Sequence, residues 1–525
     1  MNSFPWLTVL GAVPLVGSVA VLAVPKGKAL LAKQIALLAT LVTLVVAVVM
    51  AFRFKKGGER FQFVESHQWI KAFHINYGLG VDGIALVLIV MAAVLMPVVI
   101  LASWNDADEQ ENQGRRSVRA YFALLLVLET MMIGVFAATD LFLFYVFFEA
   151  MLIPMYFLIG SYGGPQRSYA AVKFLLYSLF GGLFMLAALI GLYVAAGNHL
   201  GTGTFDFNTL ANAVASGKLG LSPGLAKALF LGFFIAFAVK APLFPFHTWL
   251  PDAAAEATPG SAVLLVGVLD KVGTFGMLRY CLELFPGASR FFTPMVLVLA
   301  VIGTIYGALL AIGQTDIKRL IAYTSISHFG LITLGVFAMT SRGQSGASLY
   351  MVNHGLSTGA LFIVAGFLIS RRGSQLVDDY GGVQKVAPVL AGTFLVAGLS
   401  SLALPGMSSF VSEFLVVVGT FERYKAVAII GTTAIVLAAI YILWLYQRTM
   451  TGPLRAGLEG MKDLKVREVA AVGPLLALII VLGFYPQPVL DIVNPSVKTT
   501  LSHVQKQDPA PAVPASALLP EGTAK

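Results

Sequence analysis

Charged residues are scarce in this chain. Lys, Arg, Asp and Glu together make up 12% of its 525 residues, whereas 58% of the residues are hydrophobic. A soluble globular protein is about 25% charged, so this composition excludes an ordinary soluble domain. It predicts an all-α membrane protein that crosses the bilayer many times.

Cysteine is almost absent as well. Cys281 is the one cysteine, which excludes intramolecular disulfides and any iron–sulfur cluster held by this chain alone, because such a cluster needs several thiolates. The formal net charge of +9 comes from basic residues spread through short loops. Because no basic cluster with interleaved aromatic residues is present, nucleic-acid binding is not expected. We expect no metal and no cofactor on this chain.

Long apolar runs are what the sequence has in abundance. About 14 runs are long enough to cross a membrane at 1.5 Å of rise per residue. They lie near residues 4–24, 30–52, 82–103, 118–138, 141–160, 172–196, 225–246, 260–282, 292–313, 320–340, 347–369, 387–419, 427–447 and 469–487. Neighbouring runs are separated by short connections, which predicts one bundle of antiparallel helices without a soluble domain.

The ends of the chain carry separate signals. The first run has no basic residue ahead of it and is followed by Lys26 and Lys28, the reverse of a signal peptide, so we expect it to remain as the first helix. Loop charges weakly favour both termini outside. The chain turns polar from Asp491, and we expect residues 491–525, which end in an Ala/Pro-rich stretch, to form a disordered tail.

One nucleotide-binding pattern is present. Residues 78–83, Gly-Leu-Gly-Val-Asp-Gly, fit G-x-G-x-x-G. The pattern indicates a dinucleotide site only where a strand precedes it within a βαβ unit. No strand is expected before these residues and a membrane span follows them. We therefore interpret them as a glycine turn leading into helix three.

Two lysines lie deep within apolar runs. Lys240 is in helix seven and Lys271 is in helix eight. A charge at the bilayer centre costs at least about 2.5 kcal/mol, so such a residue faces a bundle interior or a wet cavity and is a functional candidate. Pro242 and Pro245 follow Lys240 and should break helix seven there. A broken helix with a buried lysine is typical of transporters.

Four more ionisable residues fall inside predicted spans. Glu149 is in helix five, His328 in helix ten and His354 in helix eleven, while Glu413 follows the Pro405-Gly406 break of helix twelve. Helices seven and twelve are five spans apart, and each combines a proline break with a buried titratable group. This arrangement predicts an internal repeat of transporter halves.

These residue types suit proton transfer. Burial and neighbouring charges both change how readily a side chain holds a proton. If Glu149 approaches Lys240, the lysine keeps its proton; if they separate, Lys240 releases it toward Lys271, the histidines and then Glu413. Each group also has a structural interpretation, as a static ion pair or a hydrogen-bonded core residue. His247 is expected to be a loop contact.

Two polar connections are interpreted as caps. Asp140 is expected to cap helix five, and Asp316, Lys318 and Arg319 are expected to form a solvated turn before helix ten.

Six longer motifs then identify a family. They are NYGLGVDGIAL, FYVFFEAMLIPMY, FAVKAPLFPFHTWLPDA, QTDIKRLIAYTSISHFG, NHGLSTGALF and LPGMSSFVSEF. Together they closely resemble the proton-antiporter-like membrane subunits of respiratory complex I over about residues 70 to 490. One type of subunit in this family carries Glu in helix twelve, and Glu413 makes this chain resemble that type. The two sister subunits of that type, and the related subunits of multisubunit Na⁺/H⁺ antiporters, generally carry Lys there.

The resemblance implies a fold and a set of roles. Helices four to eight and nine to thirteen would form two inverted five-helix repeats. Glu149 would be the modulating carboxylate, Lys240 the central carrier, Lys271 the connecting lysine and Glu413 the terminal carboxylate. His328 and His354 would join the connecting water chain as a candidate relay. The expected regions are 1–115 for the first three helices, 116–282 and 290–450 for the two repeats, 451–490 for a loop and helix fourteen, and 491–525 for the tail.

The resemblance also implies partners. NADH, FMN, iron–sulfur clusters and quinone would belong to other subunits, and the two sister antiporter-like subunits would be neighbours in a bacterial inner membrane. The chain would translocate protons as part of an NADH:quinone oxidoreductase. Two alternatives remain open, namely a subunit of a multisubunit Na⁺/H⁺ antiporter and an inert membrane scaffold.

The sequence departs from the family pattern at two places. Ala254 stands where the family commonly has His, so no role for a histidine in that turn can be carried over. Asp270 beside Lys271 is unusual, and we interpret it as a candidate modulator. Consecutive helical positions point about 100° apart, so Asp270 need not pair with Lys271.

Overall fold

Helices account for most of the structure, a computed structural model that describes residues 4–510. We label as α1 to α14 the helices that correspond to the fourteen expected spans, with α7 and α12 each in two halves, and as α15 the last helix. Their bounds are α1 Trp6–Ala23, α2 Ala29–Arg53, α3 Gly83–Ala102, α4 Val118–Ala137, α5 Leu141–Tyr162, α6 Arg167–Leu200, α7a Pro223–Lys240, α7b Trp249–Glu256, α8 Pro259–Leu284, α9 Pro286–Ile312, α10 Ile317–Phe337, α11 Ser341–Arg372, α12a Pro388–Ser401, α12b Ser408–Arg423, α13 Lys425–Met450, α14 Val466–Phe484 and α15 Gln487–Val504.

The expected polytopic all-α class is confirmed. Thirteen helices within residues 4–510 are long and apolar enough to cross a membrane. The remaining expected span is α12, whose two halves of 14 and 16 residues are too short to cross singly. Shorter helices lie in the connections, at Asp108–Asn112 and Phe207–Ala215 and as single 3₁₀ turns at Lys71–Phe73, Val377–Asp379 and Val383–Lys385.

A β-hairpin precedes α3. Strand β1, Gln62–Ile70, pairs antiparallel with β2, Ile75–Val81. The expectation of a glycine turn at residues 78–83 is therefore wrong for Gly78 and Gly80, which lie inside a strand. A Cβ on Gly78 would lie 3.0 Å from the Thr139 hydroxyl oxygen, so the glycine allows close approach of the α4–α5 connection. The strand pairing is antiparallel, which excludes a βαβ nucleotide unit here.

Aspartates cap three of the long helices at their N-termini. Asp82 caps α3, Asp140 caps α5 by accepting hydrogen bonds from the Phe142 and Leu143 amides, and Asp316 caps α10. A side-chain oxygen at this position satisfies amides that have no partner within the helix. The predicted cap at Asp140 is confirmed.

The expected disorder from Asp491 does not hold for residues 491–504, which belong to α15. Every third or fourth residue of this stretch is buried, namely Val493, Val497, Leu501 and Val504. One apolar face therefore packs on the bundle although the stretch is polar on average. Residues 511–525 of the expected tail lie outside the described residues.

The centre of the bundle is formed by α8, α10 and α11. All residues in the apolar window of α8 are buried, and nearly all in those of α10 and α11. By contrast, only about a third of the residues in the apolar windows of α1, α2, α13 and α14 are buried in the isolated chain. Lys271 of α8, His328 of α10 and His354 of α11 are thus held in the interior of the bundle.

Candidate proton pathway

Lys240 is the last residue of α7a, so helix seven breaks where the prolines predict. The chain then runs irregularly through Pro242 and Pro245 until α7b begins at Trp249. The Trp249 indole N–H donates a 2.9 Å hydrogen bond to the Val239 carbonyl. This bond satisfies one carbonyl that the break leaves without a helical partner.

The Lys240 ammonium is buried among aromatic rings. Its side chain is 1% exposed, and Nζ lies 4.9 Å from the centre of the Phe148 ring and 5.6 Å from that of Phe174. It makes no hydrogen bond to any protein atom among the described residues. Ring faces attract a cation but accept no proton, so this lysine is held without a fixed proton acceptor.

Glu149 is near Lys240 but not in contact with it. No ion pair within 4.0 Å joins the two among the described residues, although each acts electrostatically on the other. Glu149 is half-buried against Gly182 of α6, where a Cβ would lie 1.6 Å from Oε1. Only glycine fits there. The two side chains are therefore not paired in this structure.

Lys271 lies on α8 between two π-helical turns, Leu265–Leu269 and Met277–Cys281. Such turns interrupt the regular carbonyl pattern and are frequent at functional sites. The Lys271 Nζ donates to the Val266 carbonyl at 2.5 Å and lies 2.6 Å from Nδ1 of His354. Two predicted site residues, one on α8 and one on α11, are thus in direct contact.

Asp270 is fully buried beside this lysine. Neither of its carboxylate oxygens has a hydrogen-bond partner in the described part of the chain. It acts electrostatically on both Lys271 and Lys240. The link between Asp270 and Lys240 was not expected from the sequence, because 30 positions separate them and the helical break hides their proximity.

We expect Asp270→Asn to move the pH profile of proton pumping toward lower pH, by about one unit. The substitution removes a carboxylate that favours the protonated form of both lysines, so protonating them would require more acid. The measurement is the initial pumping rate in sealed vesicles across pH 6 to 9. Asp378→Asn is the matched control, because Asp378 pairs with Arg448 at 2.6 Å on the surface. A profile identical to that of the unmodified complex would show that Asp270 has no modulating role.

Beyond Lys271 the interior polar groups continue toward Glu413. The His354 and His328 rings are 5.3 Å apart, and Nε2 of His328 lies 3.4 Å from the Tyr441 hydroxyl. The Tyr350 hydroxyl donates to Oε2 of Glu413 at 3.2 Å. All five side chains are buried. The structure therefore brings the candidate relay histidines and the terminal carboxylate into one cluster.

Tyr350 and Tyr441 were missed by sequence analysis. Tyr350 is four residues before His354 in α11, hence on the same helical face, and that spacing was the available signal. Tyr441 in α13 gave none. Glu129, a fully buried carboxylate in α4 without a hydrogen-bond partner among the described residues, was also missed.

Helix twelve breaks at residues 402–407. Gly406 has a φ of 92°, which favours glycine, and Ala403 has a φ of 58°. The Asn353 amide on α11 donates to the Ser408 carbonyl at 2.7 Å, so α11 holds the start of α12b. Glu413 lies just inside this second half.

The turn before α10 is not solvated as expected. Lys318 is buried and donates to the Ala257 carbonyl at 2.9 Å. Arg319 and Lys173 both contact Asp252, at 2.5 and 2.6 Å. These contacts join α6, α7b and α10, and so tie the first half of the bundle to the second.

His247 lies in the break of helix seven and is buried. Its ring stacks on Phe244 at 5.7 Å and meets Tyr306 edge-on. These contacts agree with a structural role in the connection. No group of three or more His, Cys, Asp or Glu within residues 4–510 is arranged to hold a metal.

Comparisons with known proteins agree with this architecture. Residues 138–438 match the family described as "NADH:quinone oxidoreductase/Mrp antiporter, TM", and residues 29–135 match "NADH-ubiquinone oxidoreductase chain 4, amino terminus". NADH-quinone oxidoreductase subunit M of Mycobacterium tuberculosis is 56% identical, covering 98% of this chain and 97% of that protein. The subunit M of Rhodobacter capsulatus is 40% identical, with 89% and 90% covered.

Solved structures agree as well. A chain of respiratory complex I from Thermus thermophilus superposes with a TM-score of 0.84 at 28% identity, covering 95% of this chain and 99% of that one. A chain of the Mrp complex from Dietzia gives 0.81 at 20% identity, with 96% and 100% covered, and shows a shared fold. The resemblance carried by the sequence motifs is confirmed. This chain belongs to the NADH:quinone oxidoreductase/Mrp antiporter membrane family and, within it, to the subunit M type of NADH-quinone oxidoreductase.

Proposed function

We propose that this chain translocates protons across the membrane as a subunit of an NADH:quinone oxidoreductase. The observation that carries the proposal is the contact of Lys271 with His354, at 2.6 Å, in the centre of the bundle. It joins Lys271 of α8 to the polar cluster that ends at Glu413. A buried lysine in direct contact with a neutral proton acceptor is suited to handing over a proton.

The distance between Glu149 and Lys240 is the part of the pathway that changes during pumping. When Glu149 moves against Lys240, the ion pair keeps the lysine protonated; when it moves back to Gly182, Lys240 is left among aromatic rings that stabilise the charge only weakly. The lysine then releases its proton toward Lys271. Glu149 is the modulating group, and Lys240 is the central carrier.

Lys271 passes a proton to His354, and His328 extends the relay toward Glu413. The centroids of the two imidazole rings lie 5.3 Å apart, and neither Nε2 of His354 nor Nδ1 of His328 has a hydrogen-bond partner among the described residues. Water would therefore complete this step. Tyr441 and Tyr350 add hydroxyls on either side of the gap. Glu413 receives the proton at the start of the second half-channel. Asp270 modulates both lysines.

The remaining parts of the assignment follow from the family. We assign α4–α8 and α9–α13 to two inverted repeats, which correspond to the expected regions 116–282 and 290–450 although α8 ends at Leu284 and α9 begins at Pro286. Residues 4–115 and 451–490 pack beside them. NADH, FMN, the iron–sulfur clusters and quinone belong to partner subunits, and two sister antiporter-like subunits are neighbours. The bilayer is the inner membrane of a bacterium.

The alternative is a subunit of a multisubunit Na⁺/H⁺ antiporter, whose fold is shared. Affinity purification of the tagged chain from mild detergent separates the two. We expect flavin and iron–sulfur absorbance to copurify, together with NADH:quinone activity. A stable complex without either chromophore would contradict the proposal and favour the antiporter.

A further inference from the structure

A cavity opens where α3 ends and α8 begins. Its volume is about 540 Å³, and its lining includes Asp106, Pro259, Gly366, Arg467 and Glu468. With both termini outside, as the loop charges predict, this end of the bundle faces the cytoplasm. The proposed pathway from Lys240 to Glu413 does not include a route by which protons reach Lys271 from the cytoplasmic side. The cavity is therefore not part of that pathway.

Asp106 lines this cavity and also lies next to buried side chains of the bundle interior. Its Oδ2 atom is buried and has no hydrogen-bond partner among the described residues. The charged groups near it are Arg467 on α14 and Lys318 on α10, and the Ser103 and Tyr121 hydroxyls lie close to it. Arg371 and Glu468, which also line the cavity, form an ion pair with each other at 2.6 Å.

Burial raises the pKa of Asp106 to about 6, although the Ser103 hydroxyl and the cations Arg467 and Lys318 act against the rise. A carboxyl group in this range takes up and releases protons near neutral pH.

A line of hydroxyls leads from Asp106 into α8. The Tyr121 hydroxyl is 2.9 Å from Oγ1 of Thr258, which is itself 2.8 Å from Oγ of Ser261. Ser103 adjoins this line against Gly260, where a Cβ would lie 1.9 Å from its hydroxyl oxygen. Residue 260 must therefore be glycine for the Ser103 hydroxyl to reach the start of α8.

A short distance separates this line from Lys271. The Lys271 side chain reaches back to the Val266 carbonyl at 2.5 Å, five positions after Ser261 and about 7.5 Å farther along the helix. Gly359 of α11 packs at this level, since its Cβ would lie 3.4 Å from Val263. The adjacent Thr358 hydroxyl is buried and has no protein partner among the described residues. Two or so water molecules beside Thr358 would span the interval.

We propose that Asp106 collects protons from the cytoplasmic-side cavity and feeds them to Lys271 through the Tyr121, Thr258 and Ser261 hydroxyls. The Asp106 carboxylate accepts a proton from water and becomes a carboxylic acid. It gives that proton to the hydroxyl line, where each hydroxyl accepts one proton and releases another. The last proton adds to the neutral amine of Lys271. This inference rests on the proposed function and adds an entry route to it.

The test is Asp106→Asn in the whole complex, in sealed vesicles, with pumping rate and NADH:quinone turnover measured from pH 6 to 8.5. We expect a several-fold fall in both rates, with the pH dependence flattened, and an unchanged rate with an artificial electron acceptor. Asp106→Glu should restore pumping, and so should a small weak acid such as formate, which fits the cavity. Asp108→Asn is the matched control, because Asp108 pairs with Lys33 at 2.6 Å in the same loop.

Three results would overturn the inference. The first is normal pumping with a normal pH profile in Asp106→Asn. The second is a loss that neither Asp106→Glu nor formate restores in an assembled complex. If Asp106→Asn does not assemble, Ser261→Ala interrupts the line without changing charge, and normal pumping in that variant is the third. The Lys240→Ala variant tests the proposed function independently of the entry route. If Lys240→Ala abolishes pumping while Asp106→Asn has no effect, only the entry route is wrong.

Discussion

Replacing Lys240 by alanine should reduce NADH-driven proton pumping by about tenfold or more while leaving the complex assembled. The ammonium lies over ring faces and makes no hydrogen bond to the described protein atoms, so its removal leaves no buried hydrogen-bonding partner unsatisfied. Loss of the side chain leaves Glu149 without the group it modulates and removes the proposed transfer from Lys240 to Lys271. Electron transfer coupled to pumping should fall in parallel.

The measurement compares proton uptake, NADH:quinone turnover and subunit content in the same membranes. Lys227→Ala is the control, because Lys227 lies on the same helix near its start, over the Phe291 ring at 3.3 Å. It should pump normally. If the Lys240 variant assembles and retains normal turnover and proton yield, the buried lysine is structural and the proposed mechanism is wrong.

The sequence predicted the helical breaks and the buried charges because each is a local signal. A lysine within an apolar run must face the interior, and prolines after it remove helical hydrogen bonds. Lys240, Pro242 and Pro245 are close enough in sequence for one rule to place them. The same reasoning placed Glu413 after the break at Pro405 and Gly406. Charged residues are rare in membrane-spanning helices, so each of them is easy to recognise within an apolar run.

Contacts between distant elements could not be predicted in this way. Tyr441 contacts His328, which is 113 positions away in the sequence. Nothing in the sequence of α13 distinguishes this buried tyrosine from the more exposed aromatic residues of the same helix. Lys318 was expected in solvent because a turn of charged residues is usually solvated. It is buried because α7b ends beside it and offers the Ala257 carbonyl. Such positions depend on how helices pack.

The helix at residues 487–504 was missed for a different reason. Its polar residues dominate any average over the segment, whereas burial depends on the spacing of the few apolar ones. The hairpin before α3 was missed because Gly78 and Gly80 favour a turn when only the sequence is considered. In the structure both lie inside β2, where Gly78 allows the Thr139 side chain to approach closely.

Replacing Glu413 by glutamine should stop protons from leaving the central relay, and we expect pumping to fall by about tenfold or more. Glutamine has nearly the same shape, and its amide oxygen can still accept the hydrogen bond from the Tyr350 hydroxyl. The bundle should therefore assemble and keep its stability. What is lost is a carboxylate able to take up a proton, since an amide does not titrate. Glu422→Gln is the matched control on the same helix, because Glu422 pairs with Arg342 near the surface.

The comparison of these two glutamine variants decides what the buried cluster does. If protons cross from Lys271 through the histidines, Glu413→Gln blocks the last step, so its defect should match that of Lys240→Ala and should not increase when the two are combined. Glu413→Asp should recover part of the pumping, because it keeps the carboxylate on a shorter side chain. Pumping at the normal rate in an assembled Glu413→Gln complex would mean that protons leave from Lys271 by another route, and that the Tyr350–Glu413 hydrogen bond only holds α11 against α12b.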